Sequence, residues 1–442
     1  MGLRVALLSY RSKPHGGGQG VYVRQLSRGL AALGHDVTVF SGQPYPHLDS
    51  AEDLPGSIRL EEVPSLDLYR EPDPFRTPHW REFRDGIDVR EYLGMITAEF
   101  PEPLTFSLRA ARELAGRVGE FDVVHDNQCL GDGLLDIAGR FPLVTTIHHP
   151  ITRDLAADLA VARGWKRLSV RRWYAFLRMQ KRVAAAQQHV ITVSGASAAS
   201  IAQDFGVSRA RIHVVPLGVE TDLFAPKAAH SLHLAGRVPG RIVTVATSDT
   251  AVKGVDTLLT ALARLRDTRP GRPLELVMVC RPTEGGLASR LIERHGLRDL
   301  VTFVDGLPAA EIAALLASAE VACTPSRYEG FSLPTLEAMS CATPLVVTRA
   351  GAIPEVVGPP GTPCSPALIV PPGDPVALAD ALAGLLDDPE ARARLGAAGR
   401  RRAVERFDWE AVALATTRVY EQAIATRTLG VPSRGNGSPP RR

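Results

Sequence analysis

Residues 321–347 read VACTPSRYEGFSLPTLEAMSCATPLVV, and this stretch decides the fold. It holds two short apolar runs, Val321–Thr324 and Leu345–Val347, and a helix is expected between them from about Ser332. A strand, a crossover helix and a second strand form the repeating unit of a parallel sheet. The stretch therefore predicts an α/β protein.

Apolar runs of strand length alternate with helical patterns on both sides of this stretch. The predicted strands are Arg4–Ser9, Asp36–Phe40, Phe121–His125, Leu143–Thr146, His189–Thr192, Ile212–Val215, Ile242–Val245, Leu274–Val279, Val301–Val304 and Leu368–Val370. Residues 43–105 are rich in proline, aromatics and charge, and we predict an irregular excursion there with little regular strand.

The chain of 442 residues is too long for one ordinary core. Pro216–Pro226 is typical of a linker, so we predict an N-terminal Rossmann-like domain over 1–222 and a second one over 223–405. A last helix over 406–426 is expected to cross back to the first domain, before a disordered tail over 427–442. Ligands of doubly wound sheets bind outside the carboxyl ends of the strands, so two facing domains would form a central cleft lined by those ends.

The composition excludes several classes of protein. The formal net charge is only +3, whereas a general nucleic-acid binder would need a dense basic surface. The five cysteines are scattered, which argues against a disulfide framework or a zinc site. We find no signal-peptide pattern and no run near the roughly 20 apolar residues of a membrane span. We therefore expect a cytoplasmic protein.

The strongest chemical signal is the motif from Glu329 to Glu337, which follows one strand and opens a helix. The free amides at a helix N-terminus attract anions. A carboxylate beside such a site makes sense if it accepts hydrogen bonds from ligand hydroxyls while the amides hold a phosphate. The alternative is a capped helix with two solvated glutamates.

The chain resembles family 4 of the retaining glycosyltransferases, which have the GT-B fold, over nearly its whole length. The resemblance implies two Rossmann-like domains, transfer of a hexose-type sugar from a nucleoside-diphosphate sugar, and no cofactor. It is carried by seven segments in order: residues 16–20 (GGGQG), 33–39 (LGHDVTV), 145–148 (TTIH), 215–224 (VPLGVETDLF), 253–259 (KGVDTLL), 329–346 and 351–355 (GAIPE).

The resemblance also implies roles for individual residues. Glu337 would bind the donor ribose, Glu329 would face the transferred sugar, Lys253 would neutralise the diphosphate and His148 would reach the donor sugar. The backbone of Gly17 and Gly18 and the helix start at Gly330, Phe331 and Ser332 would approach the donor. On the acceptor side we expect His125, Asn127 and His149.

One departure concerns charge. The family has an arginine five or six residues before the lysine, and this chain has Ser248 and Thr247 there. We predict that Arg281, or else Arg327, replaces that charge. No Asp-x-Asp motif occurs in the sequence, so no metal is expected and fixed cations would serve instead.

Residues 163–186 combine an arginine stripe with an apolar stripe at helical spacing. The pattern favours a surface helix whose apolar side packs on the core. Peripheral contact with an anionic membrane is the alternative.

The expected partners are a nucleotide-sugar donor and a lipid, glycan or small-molecule acceptor. Two other functions stay open: a nucleotide-sugar epimerase or phosphorylase of the same fold, and a non-catalytic nucleotide-sugar-binding subunit.

Overall fold

The computed structural model describes residues 2–12, 18–70, 72–232, 236–246, 251–358 and 365–430. Its contacts divide the chain into two compact units. The first unit contains the chain up to Thr192, then Ser200–His213, and the chain from Ala413 onward; the second contains Val193–Ala199 and Val214–Val412. The predicted linker packs on the second unit, because Val219 and Phe224 lie in its hydrophobic core.

The first unit is built on a seven-stranded sheet with the order β3-β2-β1-β4-β5-β6-β7. The neighbouring pairs from β3 through β6 are parallel. Val5, Leu7 and Val124 are fully buried, because helices cover both faces of such a sheet. The strands are β1 (Arg4–Ser9), β2 (Asp36–Ser41), β3 (Ser57–Glu62), β4 (Val123–Asn127), β5 (Leu143–Thr146), β6 (Val190–Thr192) and β7 (Ile212–Val214).

The excursion predicted over residues 43–105 is more regular than expected. It contributes strand β3, which pairs in parallel with β2, and it contains helices. Strand β3 reads SIRLEE and is mostly exposed, so it lacks the apolar run by which the buried strands were found. The helices of this unit are α1 (Gly18–Ala32), α2 (Gly86–Ile96), α3 (Glu102–Ala115), α4 (Gly133–Arg140), α5 (Thr152–Val161), α6 (Lys166–Trp173) and α7 (Leu177–Ala186). Helix α8 (Gly195–Phe205) begins in the second unit and continues from Ser200 in the first.

The second unit is built on a six-stranded parallel sheet with the order β10-β9-β8-β11-β12-β13. Its strands are β8 (Val238–Val245), β9 (Glu275–Val279), β10 (Val301–Val304), β11 (Ala319–Thr324), β12 (Leu345–Thr348) and β13 (Ala367–Val370). Its helices are α9 (Val255–Thr268), α10 (Leu287–His295), α11 (Ala309–Ser318), α12 (Leu333–Ser340), α13 (Ile353–Val357), α14 (Pro375–Asp387) and α15 (Pro389–Arg406).

Both sheets follow the same doubly wound order. Strands β1 and β4 are neighbours in the first sheet, and β8 and β11 are neighbours in the second, although other elements separate each pair in sequence. At such a switch point two successive loops diverge and leave a crevice outside the carboxyl ends, where ligands of this fold bind. The loops after these four strands are therefore the expected ligand-binding segments.

The last helix, α16 (Trp409–Gly430), begins in the second unit and continues from Ala413 in the first. There Tyr420 is fully buried, and Arg427 donates hydrogen bonds to the carbonyl oxygens of Ala138 and Gly139. Of the tail predicted over residues 427–442, residues 427–430 continue this helix. The rest of the predicted tail lies outside the described residues.

The basic segment over 163–186 is not one helix. A 3-10 turn over residues 174–176 separates α6 from α7. Helix α7 buries Leu177 and Val183, as expected of a helix packed on the core, whereas α6 buries no side chain. Trp165 and Leu168 are 74% and 67% exposed.

None of the described helices is both long and apolar enough to cross a bilayer. The four described cysteines, Cys129, Cys280, Cys323 and Cys341, are buried free thiols. The fifth, Cys364, lies outside the described residues.

Candidate active site

The loops after β8 and β11 bring together two of the predicted site residues. Lys253 Nζ donates a hydrogen bond to Glu329 Oε1 at 2.9 Å, and Ser326 Oγ donates to the same oxygen at 2.7 Å. Both charged side chains are largely shielded, with exposures of 23% for the lysine and 13% for the glutamate. A fixed cation thus stands beside a fixed carboxylate at the switch point of the second sheet.

Glycines at positive φ allow the backbone to approach this pair closely. Gly254 follows Lys253 at φ 70°, and a Cβ atom there would lie 1.9 Å from the carbonyl oxygen of Pro325. Gly351 has φ 52°, and its Cβ would lie 2.0 Å from the carbonyl oxygen of Glu329. Larger residues would displace the loop, so these glycines help to fix the position of Glu329.

Serine hydroxyls hold the next residue of the loop. Ser194 Oγ and Ser197 Oγ donate to the carbonyl oxygen of Gly330 at 2.7 and 3.0 Å. Sequence reasoning did not single out these serines. The available signal was only a Ser-x-x-Ser spacing at a helix start, which is common in helix caps.

The N-terminus of α12 lies in the same loop. Ser332 occupies its N-cap position at φ 84°, and no side chain caps the helix. Ser332 Oγ instead bonds Thr335 Oγ1 at 2.8 Å. The ring of Phe331 is buried against Phe407, so its backbone, rather than its ring, is what can meet a ligand. Uncapped amides at a helix N-terminus can bind an anion.

Glu337 lies one turn into α12 and is partly exposed. Within the part of the chain that the structure describes, its carboxylate accepts no side-chain hydrogen bond. Burial, with a smaller contribution from Glu220, raises the pKa of Glu337 to about 7. A carboxylate left without partners in a shielded place is available to bind ligand hydroxyls.

The two arginines predicted to supply the missing charge lie in different surroundings. Arg281 is 86% exposed and pairs with Asp305 at 3.3 Å. Arg327 is bonded to the segment that carries Lys253. Its backbone N–H donates to Val252 O at 2.8 Å, and its guanidinium donates to Asp256 at 2.6 Å. Thr247, where the family has its arginine, lies outside the described residues. The position of Arg327 therefore fits the compensating role better.

A second group of predicted residues lies at the carboxyl ends of β4 and β5 in the first unit. His148 Nε2 is 2.8 Å from Asn127 Oδ1, and the backbone N–H of His148 donates to Gln128 Oε1 at 2.7 Å. The Tyr22 ring packs edge-on against the imidazole, with 4.7 Å between centroids. The amide nitrogen Nδ2 of Asn127 is buried, and the described part of the chain provides no hydrogen-bond partner for it.

The imidazoles of His148 and His125 are held neutral. Burial, followed by the neighbouring histidine, lowers the pKa of each to about 3. His125 is fully buried between Tyr420 OH and Thr146 Oγ1, each at 2.7 Å. It is thus a packed residue that supports the site from behind. His149 is more open and pairs with Asp154 at 3.0 Å.

Of the predicted glycine loop, Gly18 is the first residue of α1, and Gly17 lies outside the described residues. Within the described ranges, no three His, Cys, Asp or Glu side chains are grouped as a metal site would require.

Two doubly wound units, with a lysine–glutamate pair and an uncapped helix start at a switch point, agree with the predicted glycosyltransferase of the GT-B fold. A model of Glycosyltransferase Family 4 matches residues 16–223, and a model of glycosyl transferases group 1 matches residues 238–402. The chain belongs to this family, which confirms the predicted fold class and the predicted glycosyltransferase activity.

Several known proteins are similar to this chain over nearly its whole length. The chain is 58% identical to the MMP alpha-(1->4)-mannosyltransferase of Mycolicibacterium hassiacum, over 96% of this chain and 99% of that protein. It is 30% identical to the D-inositol 3-phosphate glycosyltransferase of Xylanimonas cellulosilytica, over 96% and 98% of the two chains. Among solved structures, it is similar to the sucrose-phosphate synthase of Thermosynechococcus elongatus, with a TM-score of 0.69 and 25% identity over 96% of this chain and 100% of that one.

Proposed function

We propose that this protein transfers a mannosyl residue from a nucleoside-diphosphate mannose to the 4-hydroxyl of a neutral glycan acceptor and forms an α-(1→4) linkage. The observation that carries this proposal is the 58% identity to an α-(1→4)-mannosyltransferase with almost complete coverage of both chains. Activities can diverge within one fold. The arrangement of the described site must therefore be compatible with the chemistry.

The second unit provides what the donor requires. When the bond between C1 of the sugar and the phosphate breaks, negative charge grows on the leaving oxygen. Lys253 and the uncapped amides at Ser332 are fixed groups that favour this charge, and such preorganised contacts usually contribute most to catalysis. Glu337 would bind the ribose hydroxyls and Glu329 would face the sugar.

We further propose that the reaction retains the anomeric configuration. An α-linked nucleoside-diphosphate mannose that gives an α-linked product reacts with net retention. The acceptor oxygen forms its bond to C1 on the face that the phosphate leaves, and the acceptor proton passes to the leaving phosphate oxygen. This route needs no separate base, and burial lowers the pKa of His148 to about 3, which makes this imidazole a poor proton acceptor.

No metal is required in this scheme, because Lys253 supplies a permanent positive charge. Turnover should therefore survive EDTA. Complete loss of activity that manganese restores would contradict this part of the proposal.

The experiment is a transfer assay with the purified protein, nucleoside-diphosphate mannoses and glucoses as donors, and short α-(1→4)-linked manno-oligosaccharides as acceptors. We expect one added mannose with an α-(1→4) linkage by NMR. The rate of nucleoside diphosphate release should be high only when the acceptor is present. Release without an acceptor, or epimerised donor, would favour the same-fold alternatives. Donor binding without turnover would favour a non-catalytic subunit.

Contact with anionic membranes is a separate proposal. It is supported by the segment that leads into and begins helix α6, where exposed Trp165 and Leu168 lie near Arg163, Lys166 and Arg171 in sequence, since basic and aromatic side chains together favour such a surface. Co-sedimentation with anionic vesicles at low salt, lost in Trp165→Ser, is expected. Absence of co-sedimentation would contradict it. The buried free thiols suit the proposed cytoplasmic location.

A further inference from the structure

Arg11 and Glu102 meet at the carboxyl edge of the first unit's sheet. Arg11 follows the end of β1 by two residues, and Glu102 is the first residue of α3. The first turn of α3 packs on the segment after β4, where Cys129 Sγ donates to the carbonyl oxygen of Pro103 at 2.9 Å. This is the same edge that carries Asn127 and His148.

Glu102 is a buried carboxyl group that the fold leaves poorly satisfied. Within the described residues, its hydrogen bonding is limited to Arg11 Nη1 at 3.4 Å. The nearby buried Glu91 accepts from the Arg109 guanidinium and from the backbone N–H of Leu66. Burial raises the pKa of Glu102 to about 8, which reflects the cost of an under-bonded carboxylate. Buried polar groups with so few partners call for an explanation.

A small hydrophobic cluster around Tyr69 contains several aromatic rings. The Tyr69 ring packs against Phe75, Phe100 and Trp173, with centroid distances of 5.4, 5.5 and 5.9 Å. Tyr69 OH donates to the carbonyl oxygen of Glu99, three residues before Glu102, at 3.4 Å. Burial, followed by the charge of Glu102, raises the pKa of Tyr69. Phe75 is 57% exposed, so this cluster presents aromatic surface to solvent.

We propose that Arg11 and Glu102, with the aromatic cluster of Tyr69, Phe75, Phe100 and Trp173, bind a sugar ring of the acceptor glycan. The proposal rests on the proposed function and names the part of the chain that recognises its acceptor. A carboxyl group beside a guanidinium can bond adjacent sugar hydroxyls, and aromatic rings pack on the apolar C–H faces of a sugar.

The charge of this cluster selects the chemistry of the ligand. The charged and polar side chains proposed to meet the acceptor are one guanidinium and one carboxyl group, and the buried Arg109 is already bonded to Asp88 and Glu91. This set offers a phosphate only one cation, whereas both groups can bond the hydroxyls of a neutral saccharide. The site therefore favours an uncharged glycan over a sugar phosphate or inositol phosphate.

The test measures kinetics with an α-(1→4)-linked manno-oligosaccharide and the preferred donor for Arg11→Met, Glu102→Ala and the wild type. Loss of one hydrogen bond to a charged group should raise the acceptor KM by about tenfold to a hundredfold. The affinity for nucleoside diphosphate, measured by calorimetry, should not change. Phe75→Ala should raise the acceptor KM by a few fold, roughly the effect of one aromatic contact.

Glu120→Gln is the matched control. Glu120 also pairs with an arginine, Arg117, but it precedes β4 at the opposite edge of the sheet. It should leave the acceptor KM unchanged. Thermal unfolding of every variant separates misfolding from loss of binding, and Arg11→Met, on a partly exposed side chain, provides the test if Glu102→Ala does not fold.

The outcomes are distinct. Unchanged acceptor KM in folded Arg11→Met and Glu102→Ala overturns the inference and leaves the proposed function intact. Transfer by the wild type to D-inositol 3-phosphate in preference to the neutral glycan also overturns it. If the wild type shows no turnover, the proposed function fails. Saturation-transfer NMR of the same oligosaccharide then still decides whether Glu102→Ala loses binding.

Discussion

The loops at the two switch points handle charge in different ways. In the second unit, Lys253 and Glu329 form an ion pair beside an uncapped helix start, and Arg327 lies next to the lysine. In the first unit, His148 and Asn127 form a hydrogen-bonded pair of neutral groups. The same doubly wound order thus supports an ionic site in one sheet and an uncharged polar site in the other.

This difference agrees with the proposed roles of the two units, in which the second binds the donor and the first binds the acceptor. The proposed diphosphate leaving group would need permanent charge. In the second unit, Gly254 and Gly351 allow the close backbone approaches beside Lys253 and Glu329. Sugar hydroxyls need directional hydrogen bonds that do not change with pH, and His148, whose pKa is lowered to about 3, would provide such a bond in the proposed mechanism. The following four predictions test this comparison, from the largest expected effect to the smallest.

Lys253→Met should reduce kcat by about a hundredfold to a thousandfold, because it removes a preorganised contact to the growing charge on the leaving group. The measurement is the transfer rate at saturating donor and acceptor. Lys227→Met, on an exposed lysine of the same unit, is the control and should be silent. A kcat for Lys253→Met near that of the wild type would show that Lys253 does not stabilise the leaving group.

Arg327→Ala should reduce kcat more than Arg281→Ala, by roughly tenfold to a hundredfold, the usual range for a charged hydrogen bond. We expect this order because Arg327 is bonded to Val252 and Asp256, in the segment that carries Lys253, whereas Arg281 is exposed beside Asp305. The two variants serve as controls for each other. A loss confined to Arg281→Ala would reverse the assignment and return to the order expected from the sequence.

Glu337→Ala should weaken nucleoside-diphosphate binding by about 1.5–3 kcal/mol. Since the pKa of Glu337 is raised to about 7, its carboxylate gains a proton as pH falls from 8 to 6 and accepts ribose hydroxyls less well. Calorimetric affinity of the wild type should therefore fall over this range more than that of Glu337→Gln, which does not titrate. Equal pH dependence of the two proteins would show that Glu337 does not contact the ligand.

His148→Asn should lower the rate without changing the shape of its pH profile between pH 5 and 8. Burial holds the pKa of His148 at about 3, so the imidazole gains a proton only far below this range. The profile of kcat/KM in the two proteins is the measurement. An inflection near pH 6.5 that disappears in the variant would mean that His148 titrates, and the uncharged character of the first site would be lost.

The sequence determined the class of fold, and it predicted Lys253, Glu329 and Glu337 as donor-side residues. Apolar runs are strong signals when strands are buried on both faces, as for Arg4–Ser9 and Val321–Thr324. Strand β3, in which no residue is buried, has no such run. The motif from Glu329 to Glu337 and the lysine at 253 were recognisable because their order and spacing resemble those of a family.

Only the tertiary structure decided which of these groups meet. Lys253 and Glu329 are 76 positions apart, and Arg11 and Glu102 are 91 apart. Each contact requires particular strands to be neighbours and particular loops to approach closely, and local sequence patterns do not encode this pairing. The burial that leaves Glu102 under-bonded and holds His148 neutral likewise comes from surrounding elements, since desolvation depends on everything packed around a group and not on its own motif.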